Sequence, residues 1–233
     1  MADLTAARLS SPSAVVFDLD GTLVDTVETR IRAWLAVFAE RGIAADRAAV
    51  ADLIGADGRV VARRIAAAAG QTLTDAEADE IDARSGRIYG ELNTDPRPFP
   101  GTARVLRELS AREIPWAIAT SSRPEQVAAS VDALRLDVAP VIVDGGAVTN
   151  AKPAPDLLIV ACDRLGGDRA TCWCVGDATW DMEAATSAGS VAIGVTTGAA
   201  AAESLRLSGA RFVLKSLRGL VDLLPDGAPI RVA

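Results

Sequence analysis

From residue 102 onward the chain alternates between two kinds of segment. Short apolar runs at 116–119, 141–143, 172–175, 191–195 and 211–214 read as strands. Between and around them, stretches at 102–112, 124–134, 155–165, 182–188 and 217–223 carry helical periodicity. A strand that is apolar throughout is buried on both faces. Strands separated by helices pair in parallel, because the intervening helix carries the chain back over the sheet. One earlier run, 13–18, reads as a further strand. The expected fold class is therefore α/β: a Rossmann-like, doubly wound parallel sheet with helices on both faces.

Residues 25–96 interrupt this pattern. Ile31, Trp34, Leu35 and Phe38 recur at three and four residues, giving one apolar helical face that ends near Gly42. Further helical stretches cover 46–54 and 60–69, stopping at Gly55 and Gly70. A fourth begins at Thr74, with Glu77 three residues on as a capping box, and runs to about Leu92. The proline-rich segment 95–101 reads as a stiff return linker. No strand pattern is evident in this block. It is expected to form an all-helical domain, 25–96, inserted into a discontinuous core of 1–24 and 97–233.

The first strand stops at Asp18-Leu19-Asp20-Gly21-Thr22. Two carboxylates ending a buried strand need a cation or a proton. In an open parallel sheet, ligands bind beyond the carboxyl ends of the strands. Asp18 and Asp20, Thr120 and Ser121, and Asp177 each end a strand, so they are expected on one rim. Lys152, in a loop flanked by Pro153 and Pro155, can face the same rim. The chain writes nearly every positive charge as arginine: of 24 basic residues, only Lys152 and Lys215 are lysine. A compact ammonium suits a phosphoryl oxygen or carboxylate in a tight site. Asp177 and Asp181 stand four apart around a helix start. Asp177 is expected as a metal ligand, and Asp181 as a helix cap that also holds Lys152.

The chain has no histidine, which excludes Ser-His-Asp triads, histidine acid–base catalysis and histidine-ligated zinc. Any metal must sit mainly on oxygen, which favours magnesium or manganese. A net charge of −7 disfavours a nucleic-acid partner. Cys172 and Cys174 alternate within one strand and read as buried, inert thiols. The start, Met1 to Leu4, shows neither a secretory signal nor a membrane span, so a cytoplasmic protein without a membrane partner is expected.

Four stretches, Asp18-x-Asp20, Thr120, Lys152 and Asp177 with Asp181, occur in the order found in the haloacid-dehalogenase superfamily, which the chain resembles over nearly its whole length. The helical insert resembles the type-1 cap of its phosphoglycolate-phosphatase-like and beta-phosphoglucomutase-like branch. The resemblance implies that Asp18 attacks phosphorus and forms an aspartyl-phosphate, and that Asp20 serves as acid and then base. It implies magnesium (Mg2+) on the carboxylates of Asp18 and Asp177 and the backbone carbonyl of Asp20. Thr120 and Lys152 would hold phosphoryl oxygens, helped by the amides of Leu19 and Ser121. The implied substrate is a small phosphorylated metabolite, phosphoglycolate or a sugar phosphate, handled by a monomer or homodimer. Arg30, Trp34 and the loop around Asp57 and Arg59 are the candidate cap contacts. Trp34 also reads as core, and Arg59, Arg63 and Arg64 as a solvated helix face.

Two alternatives stand beside this reading. Sugar-phosphate mutases of the same superfamily share the run Arg32-Ala33-Trp34, but usually carry a histidine where this chain has Arg30. Receiver domains combine an acidic pair, Thr, Lys and magnesium as non-enzymatic switches, but are about half this length and lack the insert.

Overall fold

The computed structural model describes residues 11–225. The expectation of no secretory signal at Met1 to Leu4 lies outside them. In chain order, β1 (Val15–Phe17) and a short β2 (Val24–Asp25) precede four helices: α1 (Val27–Glu40), α2 (Arg47–Ala51), α3 (Gly58–Ala68) and α4 (Asp75–Leu92). The chain returns through β3 (Arg97–Pro98) and then alternates: α5 (Thr102–Ala111), β4 (Trp116–Ala119), α6 (Pro124–Ala133), β5 (Val141–Val143) and α7 (Asp156–Arg164). It continues with β6 (Trp173–Gly176), α8 (Thr179–Ser187), β7 (Val191–Val195), α9 (Ala202–Leu207), β8 (Phe212–Leu214) and α10 (Arg218–Leu223).

Six strands form one parallel sheet in the order β5-β4-β1-β6-β7-β8. The chain leaves β1 toward β4 and β5, then crosses back to β6 on the other side. The topological switch therefore falls at β1, where a crevice opens beyond the strand ends. Alternate residues of β1 feed opposite layers. Val15 and Phe17 join an apolar cluster with α5 and α10, while Val16 joins another with α7 and α8. Cys162, Cys172 and Cys174 are buried free thiols in that second layer. Trp173 and Val175 face the first layer, so the two cysteines share a face, as the period of two requires.

Helices α1 to α4 pack around their own apolar cluster, which includes Ile31, Trp34, Phe38, Ile65, Ile81 and Tyr89. Trp34 stacks on Phe38 with ring centroids 5.5 Å apart. The Thr74–Glu77 capping box forms at the start of α4. Trp180, on α8, joins this cluster and donates its indole N–H to the Asp52 carbonyl at 3.2 Å. No helix among the described residues is long and apolar enough to cross a membrane.

The structure departs from the sequence expectation most clearly in three places, besides α2 ending at Ala51 where a helix to 54 was expected. The return segment is not a bare linker: β3 pairs antiparallel with β2, placing Val24 opposite Pro98 and Asp25 opposite Arg97. The two chain crossings between sheet and helical block are thus hydrogen-bonded to each other, and the Phe99 amide extends the pairing to the Leu23 carbonyl at 2.9 Å. Strands of two residues are too short to show a period, and proline is tolerated in so short an edge ribbon. Helix α8 starts at Thr179, three residues early, because the Asp181 side chain accepts the Ala178 amide at 3.0 Å and closes the first turn. Helix α9 was not expected; its Leu205 is buried against the sheet, and tertiary packing completes a helix too short to announce itself.

Candidate active site

Asp18, Thr120 and Asp177 follow the carboxyl ends of the adjacent strands β1, β4 and β6. Adjacent parallel strands in register bring the residues just past their ends together. Lys152 reaches the same point from the loop between β5 and α7. Its side chain is only 1% exposed, and its ammonium lies 2.5 Å from Asp18 Oδ1 and 2.7 Å from Asp181 Oδ1. It also donates to the Ala119 carbonyl at 2.8 Å. Asp181 caps α8 through its other oxygen.

Asp177 accepts the Thr22 hydroxyl at 2.7 Å through Oδ1. Its other oxygen lies against two glycines. A Cβ at Gly21 would stand 2.4 Å from Asp177 Oδ2, and one at Gly198 only 1.6 Å away. Gly21 also has φ of +89°, a conformation that side chains disfavour. The glycine after the acidic pair is thus required twice: by the turn that follows Asp20 and by the space for Asp177.

One carboxylate oxygen from each of Asp18, Asp177 and Asp181 lies within 4.8 Å of the others. Ionised together, three carboxylates and one ammonium would leave two uncompensated negative charges in a buried pocket, a balance that a divalent cation restores. The donors are all oxygen, as a hard cation requires.

Asp20 faces the same cavity but is held differently. Its Oδ1 accepts the hydroxyls of Thr26 at 2.6 Å and Tyr89 at 2.9 Å. Its Oδ2 accepts Arg30 at 2.8 Å and Ser122 at 3.0 Å. Arg30 also donates to Ser122 and Gln126 and lies 3.4 Å above the Tyr89 ring. A cavity of about 50 Å3 separates Asp18, Asp20 and Thr120 from Trp34 and Val61 of the helical block.

A family model for haloacid dehalogenase-like hydrolases matches residues 12–189. The chain belongs to that family. This hydrolase is 33% identical over 185 residues to a phosphoglycolate phosphatase of Rhodospirillum rubrum, covering 76% of this chain and 77% of that one. It is 32% identical over 190 residues to the beta-phosphoglucomutase of Bacillus subtilis, covering 79% and 84%. A solved hydrolase structure from Pseudomonas syringae superimposes with a TM-score of 0.86 at 28% identity, covering 90% of this chain and 96% of that one. The protein is an enzyme of a family that includes phosphatases.

The hydrolase tunes its two leading acids in opposite directions. Burial pushes the Asp18 carboxyl up to about 7, although Lys152 opposes it. Burial likewise raises Asp177 well above the usual range, reinforced by the charges of Asp18 and Asp181. Burial would raise Asp20 too, but the Arg30 charge and the hydrogen bonds from Thr26, Arg30 and Tyr89 outweigh it and hold the carboxyl low. Lys152 is opposed by burial, yet Asp18 and Asp181 keep it firmly protonated.

The remaining sequence candidates are placed unequally. Thr120 lines the inner cavity and its hydroxyl accepts the Ser122 amide at 3.1 Å. Ser121 lines it too, its hydroxyl bonded to the Gly55 carbonyl across the gap at 3.0 Å. Leu19 sends its side chain into the sheet core, so only its backbone can face the site. Arg59 is not brought to the inner cavity. It pairs with Asp57 at 2.8 Å, reaches the Thr149 carbonyl at 3.3 Å and lines an outer cleft. Sequence reasoning missed Thr26, Tyr89, Ser122 and Gln126. Tyr89 is the only tyrosine of the chain, and that was its one available signal.

Proposed function

We propose that the protein is a magnesium-dependent phosphatase of a small phosphorylated metabolite, with Asp18 as nucleophile. The observation that carries this reading is a second acid, Asp20, facing the same cavity as Asp18. A phosphate ester needs both a nucleophile and a proton donor for its leaving oxygen.

Asp18, Asp177 and the backbone carbonyl of Asp20 are the groups that would hold the ion. Bound there, magnesium supplies charge neutralisation for the phosphoryl oxygens. Asp18 attacks phosphorus through a carboxylate oxygen, and the bond to the alcohol oxygen breaks. Asp20 gives that oxygen its proton. A water then attacks the aspartyl-phosphate, Asp20 takes its proton, and phosphate leaves with the Asp18 carboxylate restored. Lys152 and Thr120 hold phosphoryl oxygens, and Asp181 aims Lys152. The amides of Leu19 and Ser121 supplement them.

We further propose that residues 25–96 act as a mobile cap. The inner cavity has room for only a few waters, so a substrate can enter only when the helical block lifts. Lifting it carries Arg30, on α1, away from Asp20. In the arrangement described here Asp20 is held in the ionised form, which its role as base in the second step requires.

The test is phosphate release from p-nitrophenyl phosphate with magnesium present. The expected result is turnover that chelation abolishes, magnesium restores and Asp18→Asn eliminates. Release unaffected by Asp18→Asn would reject the assignment. A mutase would instead transfer the group to a second hydroxyl of a sugar phosphate with little free phosphate released.

A further inference from the structure

Two cavities lie side by side at the rim, and Asp18 lines the inner one. The inner one, of about 50 Å3, holds the carboxylates; the outer one, of about 500 Å3, lies between α3, α4 and the loops after β4 and β5. Gly58, Asp82 and Ser121 line both. A substituent on the leaving oxygen of a phosphate bound at Asp18 that extends from the inner cavity to the outer one would pass these three residues, the neck between them.

Asp82, on α4, is well placed to read it. Arg123 directs two N–H groups, at 2.8 and 3.1 Å, to the same oxygen, Oδ2. Oδ1 accepts no hydrogen bond among the described residues. It faces Gly58, where a Cβ would stand only 1.9 Å away. The glycine thus makes room at the neck for a carboxylate oxygen that has no hydrogen-bond partner among the described residues.

The arginines around the neck are already engaged. Arg30 is paired with Asp20, Arg59 with Asp57 and Arg123 with Asp82, each at 2.8 Å. Arg123 has a second acidic neighbour, Asp79, at 3.7 Å. The outer cleft is lined by four acids, Asp57, Asp79, Asp82 and Glu125, against two arginines. A carboxylate oxygen without a partner can accept a charge-assisted bond from a hydroxyl. A second carboxylate or phosphate on the substrate would meet like charge there, and both arginines that line the cleft already pair with acids.

Resting on the phosphatase reading above, we infer that Asp82 is a specificity residue: the enzyme selects phosphate monoesters of neutral, hydroxyl-bearing alcohols and rejects substrates with a second anionic group. Asp82 does this from the neck, where it contacts the alcohol portion and not the reacting phosphorus.

The experiment compares kcat/KM of the full-length protein, with magnesium, on five probes: p-nitrophenyl phosphate, glucose 6-phosphate, sorbitol 6-phosphate, 2-phosphoglycolate and fructose 1,6-bisphosphate. The neutral monoesters are expected to exceed both anionic substrates by about tenfold or more. Hydrolysis of p-nitrophenyl phosphate combined with an equal or greater kcat/KM for phosphoglycolate or the bisphosphate overturns the inference and leaves the phosphatase reading standing. No hydrolysis of any probe overturns that reading itself. Asp82→Asn keeps the shape and removes the charge. It is expected to bring the neutral-to-anionic ratio down about tenfold, mainly through a lower KM for the anionic probes. An unchanged ratio in a variant with wild-type thermal midpoint rejects Asp82 as its source. Should the variant melt early, salt decides with the wild type: raising ionic strength is expected to narrow the ratio, and a salt-independent ratio overturns the electrostatic cause.

Discussion

Replacing Lys152 by methionine removes one charge and keeps most of the volume. The ammonium is buried, within 2.5 Å of Asp18 and 2.7 Å of Asp181. Removing one partner of a buried ion pair costs about 3–5 kcal/mol, because the remaining charge is stranded. Here two carboxylates are stranded, but one has an inexpensive escape. The Asp18 carboxyl is already pushed up to about 7, so near neutral pH it takes a proton readily. That places the loss at the lower end, about 3 kcal/mol. For a chain of this size, each kcal/mol moves the thermal midpoint by about 2–4 °C, so the expected drop is about 6–12 °C. The measurement is differential scanning calorimetry in the presence of chelator, so that no bound ion compensates the stranded carboxylates. Lys152→Arg is the companion variant, because a guanidinium does not fit a slot shaped for a 1%-exposed ammonium. Phosphate release is expected to fall sharply in both. A midpoint within about 1 °C of wild type for Lys152→Met would refute the reasoning, since a buried pair worth so little is not organising this site.

Asp20→Asn is expected to slow single-turnover cleavage of an alkyl phosphate by about 10²–10⁴-fold and that of an activated aryl phosphate far less. With the aryl ester, a burst of phenol followed by slow turnover should appear, and an equal loss for both esters would reject Asp20 as the acid. Gly198→Ala places a methyl 1.6 Å from Asp177 Oδ2; the magnesium concentration giving half-maximal activity should rise about tenfold or more, a titration that would contradict the assignment of Asp177 if it stayed unchanged. Tyr89→Phe removes one of four hydrogen bonds to Asp20; a loss of about 1 kcal/mol in stability is expected by denaturant unfolding.

The sequence determined the sheet, its helical cover and the inserted helical block, because these follow from periodicity, a property of consecutive residues. Strands 116–119, 141–143 and 191–195 were legible to the residue, since each is a short apolar run with clear breaks on both sides. The rim carrying Asp18, Thr120, Lys152 and Asp177 was legible too, because a parallel sheet sends the ends of successive strands to one edge. The tertiary structure alone decided what lies across the gap. Asp20 and Tyr89 are 69 residues apart, Arg30 and Gln126 are 96 apart, and Arg123 meets Asp82 across 41. No local pattern encodes such pairings; they exist because the block from α1 to α4 settles onto the strand ends. The same docking placed Arg59 on an outer cleft and left Arg30 on Asp20, a division that helix position within the sequence does not reveal. Gly58 and Gly198 show the limit most plainly: the role of each appears only when Asp82 or Asp177 is brought against it.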